Sequence, residues 1–241
     1  MIELINVNKS YSGIVKAVDD LTITIPEGQI TGFLGPNGAG KTTTIKIITG
    51  VLNADSGSIT INGTNIRENP LEAKRQFGYV PDNPDMFLRL KGMEYLNFMA
   101  DIYDVPDDLR KKRIQELAES FEMEAALNDQ IQSYSHGMRQ KIVIMGVLIH
   151  DPSVWILDEP MTGLDPKSSF TLKEMMKTHA AAGKTVFFST HVLEVAEKLC
   201  DRVAIINKGK LLFYGTMDEM RENFRSNGSL EKIFLELTEN E

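Results

Sequence analysis

Nine consecutive residues, Gly35-Pro36-Asn37-Gly38-Ala39-Gly40-Lys41-Thr42-Thr43, constrain this chain more than any other stretch. They fit the pattern G-x-x-x-x-G-K-[ST], a phosphate-binding loop. Such a loop works only between a buried strand and the start of a helix. Ile30-Thr31-Gly32-Phe33-Leu34 before it reads as the strand, and Thr43 to Ile48 after it reads as a helix stopped by Gly50. The residue types have a direct physical reason. Glycines let successive backbone N–H groups converge on an anion, and the helix dipole adds positive potential there. Lys41 supplies a point charge for the β- and γ-phosphates, and the Thr42 hydroxyl is placed to ligate Mg²⁺. A bound nucleoside triphosphate is the expectation.

The remaining chain reads as one α/β domain with an inserted helical segment. At 241 residues it is long enough for a single large domain, and 42% hydrophobic with 25% charged residues is ordinary for a globular protein. The formal charge of −8 disfavours non-specific attraction to nucleic acid or anionic lipid. Cys200 is the single cysteine, which excludes an internal disulfide and suits a reducing cytoplasm. Met1-Ile2-Glu3-Leu4 lacks the basic start of a signal peptide. The apolar run Ile142 to Ile149 is far shorter than the ~20 residues of a spanning helix.

Along the chain, Ile2 to Val7 and Leu21 to Ile25 alternate as strands do, with Lys9-Ser10-Tyr11-Ser12-Gly13 between them as a turn presenting an aromatic. Ser58 to Gly63 reads as a strand ending in an Asn-Gly turn, Pro70 to Gln76 as a helix, and Phe77 to Val80 as a strand ended by Pro81. Three helices without a strand follow: Lys91 to Tyr103, Leu109 to Phe121, and one opened by Ser135 that runs to about His150. Leu96, Met99 and Tyr103, with Phe98 and Ile102, recur at helical spacing and are expected to be core. Strands return at Val154 to Leu157 and Lys184 to Ser189, separated by a helix over Phe170 to Ala182. Val192 to Leu199 reads as a helix, and Val203 to Ile206 with Leu211 to Tyr214 as a hairpin. Met217 to Phe224 and Leu230 to Leu237 close the chain as acidic helical pieces.

Asp158 and Glu159 end the apolar strand 154–157, and strand C-termini line the ligand crevice of a parallel sheet. There Asp158 can hold Mg²⁺, and Glu159 can orient and deprotonate an attacking water. His191, just past the strand 184–189, can donate to a γ-phosphate.

With these residues in order, the chain resembles the ATP-binding subunit of an ABC transporter over nearly its whole length. Tyr11 stands where the adenine-stacking aromatic is found, and Tyr134-Ser135-His136-Gly137-Met138-Arg139-Gln140-Lys141 resembles the signature segment. Val154 to Pro160 is similar to the Mg²⁺ strand with its glutamate, Gly163-Leu164-Asp165 to the loop that follows, and Ser189-Thr190-His191 to the switch histidine. Two departures stand out. Asp82 occupies the usual glutamine position, and is still able to reach Mg²⁺ or the attacking water. His136 and Met138 replace a glycine and a glutamine, while Ser135 and Gly137 are kept. These departures resemble the branch that exports drugs, antimicrobial peptides or lipids.

The resemblance implies a P-loop NTPase core with a parallel sheet, an N-terminal antiparallel β subdomain and an inserted α-helical subdomain. Residues 1–84 and 151–216 would form the ATP-binding core, 85–150 the helical signature subdomain and 217–241 a C-terminal extension. It implies ATP and Mg²⁺, with Thr42, Asp82 and Asp158 as metal-side residues. A second nucleotide-binding subunit, the same chain or a different one, would meet this one head to tail, with ATP between one P-loop and the other's Ser135–Gly137. The partner for transport would be an integral membrane permease, docked between Asp82 and the 85–103 region at Phe87, Leu88 and Tyr95. That places the chain on the cytoplasmic face of the cell membrane, with no nucleic acid partner. A soluble ABC-type ATPase acting on ribosomes or DNA is the alternative; a P-loop kinase or GTPase leaves the signature segment unexplained.

Overall fold

The computed structural model describes residues 1–12, 15–223 and 230–239. The chain begins with two long strands, β1 (Ile2–Tyr11) and β2 (Val15–Ile25), followed by β3 (Ile30–Leu34) and helix α1 (Lys41–Ile48). Strands β4 (Ser56–Ile61) and β5 (Thr64–Asn65), helix α2 (Pro70–Gln76) and strand β6 (Phe77–Val80) come next. Then α3 (Gly92–Ile102), α4 (Asp107–Phe121) and α5 (His136–Leu148) run with only two single-turn 3₁₀ helices between α4 and α5. Strand β7 (Val154–Leu157), α6 (Pro166–Ala181), β8 (Thr185–Thr190) and α7 (Leu193–Leu199) restore the alternation. The hairpin β9 (Arg202–Asn207) and β10 (Lys210–Thr216) precedes α8 (Met217–Asn223) and α9 (Leu230–Glu239).

Two sheets result. The first has order β2-β1-β4-β5 and is antiparallel throughout. The second has order β10-β9-β3-β8-β7-β6, with every pairing from β9 to β6 parallel and β10 antiparallel at the edge. Strands β3, β7 and β8 are buried along their whole length, as continuous apolar strands covered on both faces must be. Because β6, β7, β8 and β3 are parallel neighbours, their C-terminal ends leave the sheet along one edge. Each of the four delivers one candidate residue group there.

Three expectations need correction. Tyr11 lies on β1, paired with Val15, and not in a turn; bulges at Leu4/Val7 and Val7/Lys9 break the simple alternation that marks a strand. The expected helical stripe of 91–103 splits: Leu96 is buried, whereas Phe98 and Ile102 are 41% and 49% exposed. Tyr95, expected on a docking surface, is buried at 2%, because its ring fills the space left by Gly146 on α5. The expected turn residue Gly13, helix end Phe224 and chain end Glu241 lie outside the described residues. Among the described residues, no helix is long and apolar enough to cross a membrane.

Candidate functional site

The site begins where β3 ends. Leu34 is fully buried, and the chain turns through Gly35–Gly40 into α1. Gly40 has φ +106°, and a Cβ there would stand 2.2 Å from the Ala17 carbonyl oxygen, so only glycine fits. The backbone N–H of Gly209, at the β9–β10 turn, donates to the Ala39 carbonyl at 2.9 Å and pins the loop from outside. Lys41 is 7% exposed. Its Nζ donates to the carbonyls of Gly35 at 2.7 Å and Pro36 at 3.3 Å and stands 3.6 Å from Glu159 Oε1.

The neighbouring strand ends bring the acids to the same place. Asp158 is fully buried, and its backbone N–H donates to Val80 at the end of β6. Ser189, near the end of β8, donates its hydroxyl to Asp158 Oδ1 at 2.5 Å and accepts the Glu159 backbone N–H at 3.0 Å. Asp158 Oδ2 is buried without a hydrogen-bond partner, close to the Thr42 hydroxyl. Burial raises the Asp158 pKa, and the charges of Asp82 and Glu159 add to the rise, against the Ser189 hydrogen bond and the nearby Thr42 hydroxyl. Glu159 has φ +48°, a conformation that a non-glycine residue keeps only where its surroundings enforce it. Its Oε2 stands 2.9 Å from His191 Nδ1, so the ring is oriented by the carboxylate.

A cleft of about 560 Å³ opens over these groups. The loop residues Pro36, Asn37, Gly38, Gly40, Lys41, Thr42 and Thr43 line it together with Asp82, Glu159, Tyr11, Val15 and Lys16. Tyr11 is 45% exposed, an aromatic with a free face. The tertiary structure therefore lines one volume with phosphate-loop residues, Asp82, Glu159 and Tyr11, and ties Asp158 and His191 to it through Ser189 and Glu159. Ser135 and Gly137 are not among the residues lining it. They sit at the N-terminus of α5, where Ser135 caps the helix by accepting the Met138 N–H at 3.3 Å.

Ser189 is the residue that sequence reading missed. A serine inside an otherwise apolar strand is the signal that could have found it, since a buried hydroxyl needs partners. Lys208 at the β9–β10 turn also borders the cleft. Nothing local to either residue announces the carboxylate or the loop it faces.

Residues 18–162 match the family model described as ABC transporter. The ABC-type transporter ATP-binding protein EcsA of Bacillus subtilis (strain 168) is 37% identical over 220 residues, 91% of this chain and 89% of that protein. The linearmycin resistance ATP-binding protein LnrL of the same organism is 36% identical over 220 residues, 91% of this chain and 70% of that protein. A solved structure described as the ATP binding subunit of an ABC transporter superposes with a TM-score of 0.94 at 33% identity, covering 98% of this chain and 99% of that one.

Proposed function

The chain belongs to the ABC transporter family, and from that premise we propose how its residues divide the work of an ATP-hydrolysing subunit that powers a separate permease. The triphosphate lies on Gly35–Thr43, with Lys41 leaving its loop carbonyls for the β- and γ-phosphates and the α1 dipole adding to the attraction. Tyr11 stacks on the adenine in the same cleft. Glu159 takes the proton of the attacking water, and His191, held by that same carboxylate, donates to the γ-phosphate.

The residues present fit a magnesium ion. The charges of Asp82 and Glu159 both bear on Asp158, and a triphosphate is itself an anion. Asp158 Oδ2 is an orphaned buried oxygen beside the Thr42 hydroxyl, which is the kind of group that a cation satisfies. Among the described residues there is no cluster of three or more His, Cys, Asp or Glu side chains able to hold a metal alone. Thr42, Asp158 and Asp82 would hold it together with the phosphates. Bound there, such an ion would neutralise part of the triphosphate's charge.

Ser135 and Gly137 serve a nucleotide bound to a second subunit, arranged head to tail, and ATP holds the two together until the γ-phosphate is lost. The permease meets the apolar surface made by Phe87, Phe98 and Ile102, all more than 40% exposed. Phe87 contacts the Tyr95 and Phe98 rings at 5.4 and 5.5 Å. On this reading the chain works at the cytoplasmic face of a membrane. The similarity to a resistance protein favours export as the direction.

One observation carries the reading: Glu159 stands between Lys41 and His191, 3.6 and 2.9 Å away, at the mouth of a phosphate loop. Replacing Glu159 by Gln keeps the cradle and removes the base. The expected outcome is a fall in kcat of at least about 100-fold with nucleotide affinity within a few-fold of wild type. Turnover close to wild type would remove Glu159 from the role of base.

A further inference from the structure

The departure of the signature segment at His136 has a partner in the tertiary structure. The start of α5 lies against the loop 160–165 of the same chain, the loop that leaves Glu159. His136, Gly137, Gln140 and Lys141 share one side of the helix, since residues four apart are neighbours there. Gln140 Nε2 donates to the Pro160 carbonyl at 3.4 Å, and Lys141 Nζ stands 3.1 Å from Asp165. A Cβ on Gly137 would come 2.6 Å from the Gly163 carbonyl oxygen. A Cβ on Gly163, whose φ is +77°, would come 2.2 Å from Cδ2 of the His136 ring. The imidazole therefore occupies the space that a side chain at 163 would need.

We propose that His136 is a positioning residue: its ring, seated on the bare backbone of Gly163, locks the start of the signature helix to the loop that holds Glu159. Glu159 sits at φ +48° and persists there because its neighbours over-determine it. Its N–H is held by Ser189 and its carbonyl accepts the Thr162 N–H at 3.1 Å. The α5 contacts are the third restraint on that loop, and His136 is the one that a glycine at this position would lack. Gln140–Pro160 and Lys141–Asp165 remain when the ring is removed, so the loop loosens without leaving. The functional consequence rests on the head-to-tail reading above: what seats on the α5 N-terminus of one chain then bears on hydrolysis at that chain's own Glu159. The ring couples the two ATP sites.

The test uses the whole chain with His136→Gly, Gly163→Ala and the double variant. In steady-state ATPase assays, His136→Gly lowers kcat about 5- to 20-fold and brings the Hill coefficient toward 1, with the affinity for a fluorescent ATP analogue within about two-fold. Gly163→Ala is worse alone, because its Cβ meets the ring. Its backbone strain is common to both backgrounds and cancels in the cycle, so the double variant loses at least about three-fold less than the product of the single losses. Multiplicative losses, or a changed affinity with kcat and Hill coefficient intact, overturn the proposal. Amide exchange, measured without nucleotide, supplies an independent reading. The amides of 161–165 exchange at least about five-fold faster in His136→Gly than in wild type. Unchanged exchange there overturns the lock. A wild-type chain without ATPase activity would sink the functional reading, while the exchange result would still decide whether His136 restrains the loop.

Discussion

The sheet side and the helical side of the molecule are built on different principles. On the sheet side, four parallel strand ends place the phosphate loop, Asp82, Asp158–Glu159 and His191 along one edge, and the strands beneath them are sealed: Trp155, Ile156, Leu157 and Phe188 are fully buried. On the helical side, α3, α4 and α5 pack around Leu96, Phe121, Ile142 and Ile144, yet leave Phe87, Phe98 and Ile102 to solvent. The first side resists displacement because each strand is hydrogen-bonded to its neighbours and covered on both faces. The second shares an apolar core with the first, Leu96, Phe121 and Ile144 packing in one cluster with Trp155, Leu157 and Phe188, and polar contacts add to it where the α5 face meets loop 160–165 and where Lys167 pairs with Glu122. The difference teaches where precision is needed. The candidate phosphate-site groups stand on the ends of buried strands, and the exposed aromatics of the proposed docking surface stand on the helical side.

The comparison can be broken or sharpened by experiment. Trp155→Ala removes the largest fully buried side chain of β7, and the expected loss is about 3–5 kcal/mol. Thermal denaturation checks it; a drop in Tm of only a degree or two would mean that the sheet side is less tightly packed than its burial indicates. Lys41→Ala should leave the fold intact and weaken ATP binding by about 10- to 100-fold, the worth of a charge-assisted bond to phosphate, as read by equilibrium titration. Unaltered binding would remove Lys41 from the phosphate site.

Ser189→Ala tests the strand-end network. It leaves Asp158 Oδ1 and the Glu159 N–H without their partner, at a cost of about 1–3 kcal/mol, and should lower kcat as Glu159 loses its anchor. If Tm and kcat both stay at wild-type values, the hydroxyl is not the group that organises the two acids.

Two histidines sharpen the contrast through pH. His150 stacks on Tyr103 with centroids 3.6 Å apart, and His179 meets the edge of Trp155 at 5.5 Å. Burial lowers both pKa values to about 4 from 6.5. As pH falls below 6.5, the unfolded chain takes up protons that the folded chain refuses until about pH 4, so stability falls across that window. Each tenfold difference in proton affinity between the folded and unfolded chain is worth about 1.4 kcal/mol. Allowing for partial solvation, each histidine then contributes on the order of 1–3 kcal/mol. Chemical denaturation at pH 7 and pH 5 should show the loss in wild type and a smaller one in His179→Gln. Equal losses would mean that His179 is protonated in the folded protein.

The smallest effect on the isolated chain is expected at the exposed aromatic surface. Phe98→Glu should change stability by roughly 0.5 kcal/mol or less, since the ring is 41% exposed. Co-purification with membranes should fall sharply if a permease docks there, and undiminished membrane association would move the docking surface elsewhere.

What the linear chain made legible was local. The phosphate loop is nine contiguous residues, and the apolar run ending in Asp158–Glu159 announces a buried strand with acids at its tip. Pro70 to Gln76 and Phe77 to Val80 carry their own start and stop chemistry. These features depend on neighbours in sequence, so spacing and residue type suffice to read them. Less legible was whatever depends on a contact between distant segments. Tyr11 read as a turn because bulges hid the strand that pairs with Val15. Tyr95 read as surface because Gly146, fifty-one residues later, supplies its pocket. Ser189 and the fit of His136 on Gly163 were invisible for the same reason.

By itself, then, the sequence determined that an anion-binding loop joins a strand to a helix, that carboxylates follow a second buried strand, and that helices interrupt the α/β alternation. Only the tertiary structure decided which strands are neighbours, and therefore that Ser189 bridges Asp158 and Glu159, that His191 meets Glu159, and that the signature helix grips the loop beyond it. The physical reason is one of range. Backbone propensity and hydrophobic period act over a few residues, whereas hydrogen-bond partners and the space beside a glycine are set by chain segments that meet only when the core closes.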